Sequence, residues 1–420
     1  MFKKTIAIVL TLVMVLVAFA ACGSDSDKAG MTEDLLVGAT LEKFDVPADF
    51  KIGVICLHDE NSTYDNNFIK AVKAVREVLG LSNEQVLIKT GIPESSECAE
   101  TASQLVTDGC KIIFADSFGH EEFMLQVAKA NPDVQFCHAT GTMAHTEKLP
   151  NFHNAFASIY EGRYLAGIAA GMKLNEMIES GKITAEQAVM GYVGAFTYAE
   201  VISGLTSFYL GAKSVCPSVT MKVRYTGSWY DQSAEQEAAN ALITTDKCVL
   251  ISQHADSLGA PAACESAGVP NVSYNGSTFD AGENTFIIAS AINWAPYFHH
   301  IIKCWAENKA IEDDYVGDIE NTGSIVLSGL NQNVAAEGTR EAIEKAIADF
   351  KAGTLHVFDT ANFTVNGETL KSYLADVDTD ANFTADTEVV SDGYFHESEY
   401  RSAPYFDVRI DGIEYLNEKY

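Results

Sequence analysis

The chain has 420 residues, of which 20% are charged and 47% are hydrophobic. This composition predicts large buried cores, favours two domains at this length, and excludes a disordered or fibrous protein. The 58 Asp and Glu residues outnumber the 28 Lys and Arg residues, which gives a net charge of −30. A surface this acidic lacks the clustered cations that bind nucleic acid, so we predict no nucleic-acid partner.

The first 22 residues indicate where the protein is sent. A basic start precedes an apolar run over residues 5–19, and small residues stand before Cys22. This order is typical of a secretory signal, and its end resembles a bacterial lipobox. The resemblance implies a signal peptide of residues 1–21 and a lipid on Cys22 that tethers the protein to the extracytoplasmic face of the bacterial cell membrane. An uncleaved transmembrane anchor is the alternative, but the apolar run is shorter than the ~20 residues of a spanning helix.

The next segment, residues 23–32, is mostly small and polar, which predicts a flexible tether over residues 22–47. Eight cysteines follow the tether, and several lie inside apolar runs such as residues 51–57 and 247–252. Because Cys packs well as a small hydrophobic residue, we predict buried free thiols. An exported protein can also form disulfides, and the sequence does not give a pairing.

From residue 51 the chain alternates short apolar runs with segments of helical periodicity. In the first half, apolar runs at 52–57, 86–89, 111–115 and 134–138 alternate with helical patterns at 66–79, 97–106 and 121–130. In the second half, apolar runs at 189–193, 220–225, 249–252 and 271–274 alternate with helical patterns at 199–215, 233–242 and 261–267. Such alternation predicts right-handed βαβ units and parallel sheets. We therefore predict an α/β protein with two doubly wound, mainly parallel lobes.

The domain boundaries follow from this repeated pattern. The N-terminal lobe is predicted to span residues 48–160, and the C-terminal lobe to span residues 161–285. One apolar run and two helical patterns within about residues 286–352 are predicted to return to the N-terminal lobe. The remaining residues, 353–420, are predicted to form an acidic, hairpin-like C-terminal extension on the surface.

Polar and aromatic residues follow the predicted strands, at the edge where doubly wound sheets bind ligands. The candidates are Asp59, Tyr64, Asp116 and Phe118 in the first lobe and Trp229, Asp256 and Asn275 in the second. One aromatic from each lobe, Tyr64 and Trp229, can sandwich a planar ring while Asp and Asn bond to its edge or to sugar hydroxyls. The pattern predicts a cleft for a heterocycle or a sugar. Each residue alone also fits a packed or solvated loop, and Asp65 fits a helix cap.

Five segments carry a resemblance to a known family. They are HDENSTYDNNF at 58–68, EGRYLAGIAAGMK at 161–173, VGAFTYAEVISGLTSFYLGAK at 193–213, YTGSWYDQSAEQEAA at 225–239 and HADSLGAPAACESAGVPNVSYN at 254–275. In this order, and together with the lipobox, they resemble the basic-membrane-protein family over about residues 50–350. Members of that family are substrate-binding lipoproteins of ABC importers.

The resemblance implies a two-lobed, periplasmic-binding-protein-like (type I) fold. Such a protein closes on a purine nucleoside and delivers it to an ABC permease. In this sequence, Tyr64 and Trp229 take the places of the aromatic residues that stack on the base. Asp59, or its neighbour His58, takes the place of the acidic residue that faces the ribose.

Four more binding residues are implied by the same resemblance. Gly259 falls in the family's Gly-rich turn, and Asn275 stands where an Asp is usual. Asn293 and Trp294 lie where family members carry a Lys. These two departures leave open a receptor of the same fold that binds a sugar or another small molecule.

No motif in the sequence supports catalysis. The sequence has no GxSxG, P-loop or GxGxxG motif, and no CxxC or HExxH metal signature. Residues 376–380 open like a calcium loop but lack its turn glycine and closing glutamate. We therefore predict a monomeric binding protein, not an enzyme, with no cofactor and no metal. A sensor for a membrane signalling partner is a further alternative.

Overall fold

The computed structural model describes residues 28–377, 382 and 384–419. The predicted signal peptide and Cys22 lie outside the described residues, as does most of the calcium-like stretch. Within the described part of the chain, no helix is both long enough and apolar enough to cross a membrane.

The described residues contain seventeen strands and ten α-helices. The strands are β1 Ile52–Ile55, β2 Val86–Lys89, β3 Ile112–Ala115, β4 Gln135–Ala139, β5 Phe152–Ala157, β6 Val189–Gly194, β7 Thr220–Tyr225, β8 Leu250–His254, β9 Asn271–Tyr274, β10 Phe286–Ile292, β11 Asp314–Gly317, β12 Ile325–Leu327, β13 Leu374–Ala375, β14 Thr387–Glu388, β15 Val390–Ser391, β16 Tyr394–Phe395 and β17 Ile413–Asn417. The helices are α1 Thr63–Leu79, α2 Ser96–Thr107, α3 Glu121–Ala130, α4 Ala144–Glu147, α5 Ile159–Glu179, α6 Ala199–Val215, α7 Gln232–Thr244, α8 Gly259–Ala267, α9 Ala295–Ala306 and α10 Thr339–Lys351.

Each lobe is built around one large sheet. In the first sheet the strand order is β11-β5-β4-β3-β1-β2, and all neighbours are parallel. In the second sheet the order is β12-β10-β9-β8-β6-β7-β17, and of its neighbouring pairs only β10 and β12 are antiparallel. The predicted α/β architecture of two mainly parallel sheets is confirmed.

Strand β1 shows how the sequence builds these sheets. All four of its residues are buried, as expected of a parallel strand that helices cover on both faces. Gly53 permits close packing, because a Cβ there would lie 2.7 Å from the side chain of Leu105 in α2. After the strand, Ser62 caps α1 by accepting a hydrogen bond from the backbone NH of Asp65. The loop between β1 and α1 is thereby held at the edge that faces the second lobe.

After residue 285, the structure assigns several strands and helices to a different lobe from the predicted one. Strand β10, assigned above to the first lobe, pairs with β9 and extends the second sheet. Strand β12 pairs with β10, and α10 packs against α5, which itself covers β10. Only α9, which packs against α1, and β11, which pairs with β5, return to the first lobe. All seven residues of β10 are buried, and an apolar run of this kind does not show which sheet the strand joins.

The flexible tether predicted before residue 48 is wrong for the segment around residues 36–44. Leu36 pairs with Leu327 in an isolated β-bridge on the second lobe. Phe44 packs edge-on against His299 of α9 in the first lobe, with ring centroids 5.0 Å apart. Backbone hydrogen bonds to the second lobe and a ring contact with the first therefore hold this segment against both lobes.

The C-terminal extension is part of the folded body. Two antiparallel pairs, β13 with β14 and β15 with β16, give it a hairpin-like character. Phe358 and Phe406 stack with their ring centroids 4.1 Å apart and belong to the large hydrophobic core. Strand β17 then pairs in parallel with β7 and becomes the edge of the second sheet.

The eight cysteines among the described residues are free thiols, and all are buried. Burial raises the pKa of Cys98, Cys137 and Cys264 to about 12. These thiols stay protonated at neutral pH and pack as small hydrophobic side chains, in agreement with the preferred interpretation of the sequence.

Candidate ligand-binding cleft

A cleft lies between the lobes, at the carboxyl ends of strands from both sheets. Its lining residues are Leu57, His58, Tyr64, Asp65, Ser117, Phe118 and Thr140 from the first lobe and Glu200, Trp229, His254, Asp256 and Asn275 from the second. The edge where strands end is the usual ligand site of doubly wound sheets. The cleft is therefore the candidate functional site.

The two lobes touch each other across this cleft. The backbone NH of Thr63 donates to the carbonyl oxygen of Asp256 at 3.0 Å. The rings of Phe118 and Tyr198 lie 5.5 Å apart at the mouth of the cleft. The cavity inside has a volume of about 20 Å³, which is room for about one water molecule. The lobes are thus closed, and a larger ligand requires them to open.

Two carboxyl groups and a thiol lie together on the first-lobe side of the cleft. The donor atoms of Cys56, Asp65 and Asp116 are buried and lie within 4.8 Å of one another. Burial, and then the negative charge of Asp65, raise the pKa of Asp116 well above its ordinary value. Burial alone would also raise the pKa of Asp65, but hydrogen bonds from His58 and Ser62 outweigh it and lower that pKa. These opposite shifts favour a proton on Asp116 over one on Asp65.

The same cluster has residue types that can bind a metal ion. A metal ligand must lose its proton, whereas burial raises the pKa of both Cys56 and Asp116. The cluster therefore suits a proton better than a cation.

We expect Asp116→Asn to change how stability depends on pH. Because the folded-state pKa of Asp116 is raised, this carboxyl stabilises the fold below its unfolded-state pKa and loses that contribution as pH rises through the folded-state value. The amide keeps an oxygen that can accept from the backbone NH of Leu57 but has no titrating proton. The free energy of unfolding of the variant, measured in urea from about pH 5 to about pH 9, should fall less with rising pH. Parallel curves for the two proteins would contradict a raised pKa.

On the second-lobe side, Asp256 and Asn275 form a hydrogen-bonded pair. Asn275 Nδ2 donates to Asp256 Oδ1 at 2.9 Å, and both side chains are buried. The φ of Asn275 is 62°, in the left-handed region that Asn tolerates better than most residues. Burial raises the pKa of Asp256 well above its ordinary value. The Asn at position 275 therefore avoids a second carboxyl group beside Asp256.

The two residues predicted to stack on a ligand line the cleft from opposite lobes. The hydroxyl of Tyr64 donates to the carbonyl oxygen of Asp116 at 2.8 Å, and its ring packs edge-on against Phe68. The ring of Trp229 packs edge-on against Phe196, with centroids 5.0 Å apart. Both rings are held by protein contacts, which lowers the entropic cost of binding a flat ligand.

Besides Asp116, which is fully buried, four of the predicted binding residues do not line the cleft. Asp59 is exposed and accepts hydrogen bonds within its own turn. Asn293 is buried where β10 leads into α9, and its side chain accepts from the first backbone NH of that helix. Trp294 stacks on Phe68 in the core of the first lobe. The fourth, Gly259, begins α8 and lies against α7.

Packing explains the glycine at position 259. A Cβ on Gly259 would lie 2.3 Å from the carbonyl oxygen of Gln232 in α7. We expect Gly259→Ala to lower the free energy of unfolding by about 1–3 kcal/mol, the usual cost of overpacking. Thermal unfolding measures this against Ser266→Ala, a control at an exposed position of α8. Equal midpoints for the two variants would show that the alanine fits.

Besides Ser117 and Thr140, three titratable lining residues were not predicted to bind a ligand. Asp65 was interpreted as a helix cap, yet its carboxylate also accepts from the backbone NH of His58 at 2.7 Å. His254 is the last residue of β8, so its place at a strand end was a signal that could have found it. Glu200 is in the first turn of α6, where an acidic residue is common in any helix. No local signal distinguishes Glu200 from such a residue.

The sequence profile of one family matches residues 52–358 of the chain. That family is described as ABC transporter substrate-binding protein PnrA-like, or Bmp. The chain belongs to the Bmp family. Bmp proteins are substrate-binding proteins and not enzymes, as the missing catalytic motifs predicted. They are extracytoplasmic, bind small ligands and work with the other components of an ABC transporter.

Two curated relatives resemble this Bmp protein over part of their length. A Haloferax volcanii protein, whose name assigns it to glucose binding in an ABC transporter, is 33% identical over 242 residues, which are 58% of this chain and 58% of the relative. A purine-binding protein of Brucella abortus is 32% identical over 252 residues, which are 59% of this chain and 66% of the relative. The chain thus spans less than two thirds of either relative.

A solved structure supports the fold of this Bmp protein. The ABC transporter solute-binding protein of Conexibacter woesei superposes with a TM-score of 0.58 at 20% sequence identity. The superposition covers 73% of this chain and 98% of that protein. Together with the strand order, it confirms the predicted two-lobed, periplasmic-binding-protein-like fold.

Proposed function

We propose that this protein is the extracytoplasmic substrate-binding component of an ABC importer and that it captures a purine nucleoside between its lobes. A lipid on Cys22 would hold it at the membrane, and closure of the lobes would present a new surface to a permease. One observation carries the proposal: a single closed cleft places Tyr64 and Trp229, one from each lobe, among carboxyl and amide groups.

The chemistry of the lining favours a neutral ligand. Among the described lining residues, Asp65, Glu200 and Asp256 are acidic, and none is Lys or Arg. A phosphate group would meet these carboxyl groups without a cation to pair with it. A nucleoside has a flat base and uncharged hydroxyl and amino groups, so it suits this lining better than a nucleotide does.

A sugar is the second candidate ligand. The Haloferax relative is named for glucose, and an aromatic side chain can also pack on the apolar face of a pyranose. The Brucella relative is named for purines, and two aromatic residues from opposite lobes suit a ligand with two flat faces. We therefore rank the purine nucleoside first.

Thermal unfolding of the full chain with panels of ligands tests the proposal. A ligand that binds only the folded protein at about 100 times its Kd stabilises it by about 2.7 kcal/mol. We expect purine nucleosides to raise the unfolding midpoint, and nucleoside 5′-monophosphates to leave it unchanged. A rise with glucose and none with nucleosides would establish the sugar receptor instead.

A further inference from the structure

Glu200 and His254 form a hydrogen-bonded pair on the second-lobe side of the cleft. Glu200 Oε1 lies 3.2 Å from His254 Nε2, and both residues line the cleft. The other ring nitrogen of His254, Nδ1, has no hydrogen-bond partner, and a Cβ on Gly204 of α6 would lie only 2.8 Å from it. Because a carboxylate can only accept, Nε2 carries the hydrogen and donates it to Glu200.

This pair leaves one oxygen of Glu200 available to a ligand. The Glu200 side chain is 14% exposed, so it reaches the small space inside the closed cleft. Among the described residues, His254 is the group that hydrogen-bonds to the Glu200 carboxylate, and it uses Oε1. Because this second oxygen has no donor among the described residues, the site is suited to a ligand that brings an N–H or O–H group.

A buried arginine lies behind the pair. The guanidinium of Arg163 is fully buried, donates to Ser252 Oγ at 2.7 Å and lies 5.0 Å from the centre of the Tyr274 ring. That ring is in turn 4.5 Å from the ring of His254. Burial, and then the charge of Glu200, raise the pKa of Tyr274, whereas Arg163 lowers it. Tyr274 thus feels both charges, the anion that raises its pKa and the cation that lowers it.

The position of Glu200 favours contact with the base of a bound nucleoside and not with its sugar. The residues just before α6 include Phe196 and Tyr198, whose rings lie 5.0 and 6.0 Å from that of Trp229. A base stacked on Trp229 would therefore have its edge beside the start of α6. The carboxylate of Asp65 lines the cleft from the opposite lobe and remains for the ribose hydroxyls.

We propose that Glu200 accepts a hydrogen bond from a ring N–H or amino group on the edge of the bound purine. This inference rests on the proposed nucleoside function and adds a specificity-determining residue to it. The site would select purines that carry a donor on that edge over purines that lack one.

Calorimetric titration of the full chain with four nucleosides tests this assignment. Inosine carries an N1–H group, adenosine carries a 6-amino group, and purine riboside carries neither. The unaltered protein should bind the tighter of inosine and adenosine about 10- to 100-fold more tightly than purine riboside. In Glu200→Leu this preference should fall to about threefold or less, with Glu200→Gln between the two, whereas the control Glu237→Gln at an exposed position of α7 should keep it. Glu200→Leu should lose the same factor with 2′-deoxyinosine as with inosine.

Several results would overturn the assignment. If the unaltered protein binds purine riboside as tightly as inosine and adenosine, it does not select purines that carry a hydrogen-bond donor. A preference that persists in Glu200→Leu places the acceptor elsewhere, and a loss that disappears with 2′-deoxyinosine places Glu200 at the ribose. If the unaltered protein binds none of these nucleosides, the proposed function itself fails, and this assignment fails with it.

Discussion

Replacing Trp294 with alanine should lower the free energy of unfolding by about 3–5 kcal/mol, the range for deleting a buried aromatic side chain. Trp294 is 2% exposed and stacks on Phe68 with ring centroids 4.4 Å apart. Phe114 and Phe156 flank it at 5.9 and 6.2 Å, so its removal would open a cavity in the first lobe. Urea unfolding followed by circular dichroism measures the effect.

The same variant separates a packing role from a binding role. Because Trp294 does not line the cleft, ligand affinity measured on folded Trp294→Ala protein should stay close to that of the unaltered protein. A variant that keeps its stability and loses affinity would place Trp294 at the ligand, as the family resemblance implied.

Trp229→Ala should show the opposite behaviour and weaken nucleoside binding by about 1–3 kcal/mol, the range for stacking a base on an aromatic side chain. Trp229 is partly exposed and lines the cleft, so truncation removes contact area from the ligand more than from the core. Trp229→Phe keeps a flat ring and should retain most of the affinity. Calorimetric titration with inosine or adenosine measures all three proteins.

An unchanged affinity in Trp229→Ala would rule out stacking on this residue. Equal losses in the Ala and Phe variants would mean that the indole NH, and not the ring face, binds the ligand. The two tryptophan variants serve as controls for each other, because one should change stability and the other affinity.

The fold could be predicted wherever the sequence has a clear hydrophobic period and a clear signal for the end of a helix or strand. Helix α6 and strand β7 begin and end at the predicted residues, 199–215 and 220–225. Helix α5 was not predicted from its pattern, because residues 162–171 are all buried and this part of the helix has no polar face. A helix that is covered on all sides has no amphipathic stripe to recognise. The sheet that β10 joins depends on long-range pairing, which no local pattern contains.

The cleft could be predicted in part from the position of residues at strand ends. That rule brought Tyr64, Phe118, Trp229, Asp256 and Asn275 to one place, as the lining residues show. The family resemblance also implied Trp294, but where β10 leads into α9 this side chain packs into the core of the first lobe. The strand-end rule missed Glu200, because the partner that makes this residue distinctive, His254, is 54 residues away in sequence.

Calorimetric titration of the unaltered full chain with inosine, adenosine and glucose in parallel decides whether the cleft binds a purine nucleoside. We expect one-to-one binding of at least one nucleoside, with a negative change in heat capacity from closing an apolar cleft around the base, and no heat from glucose. Binding of glucose without binding of either nucleoside would contradict it.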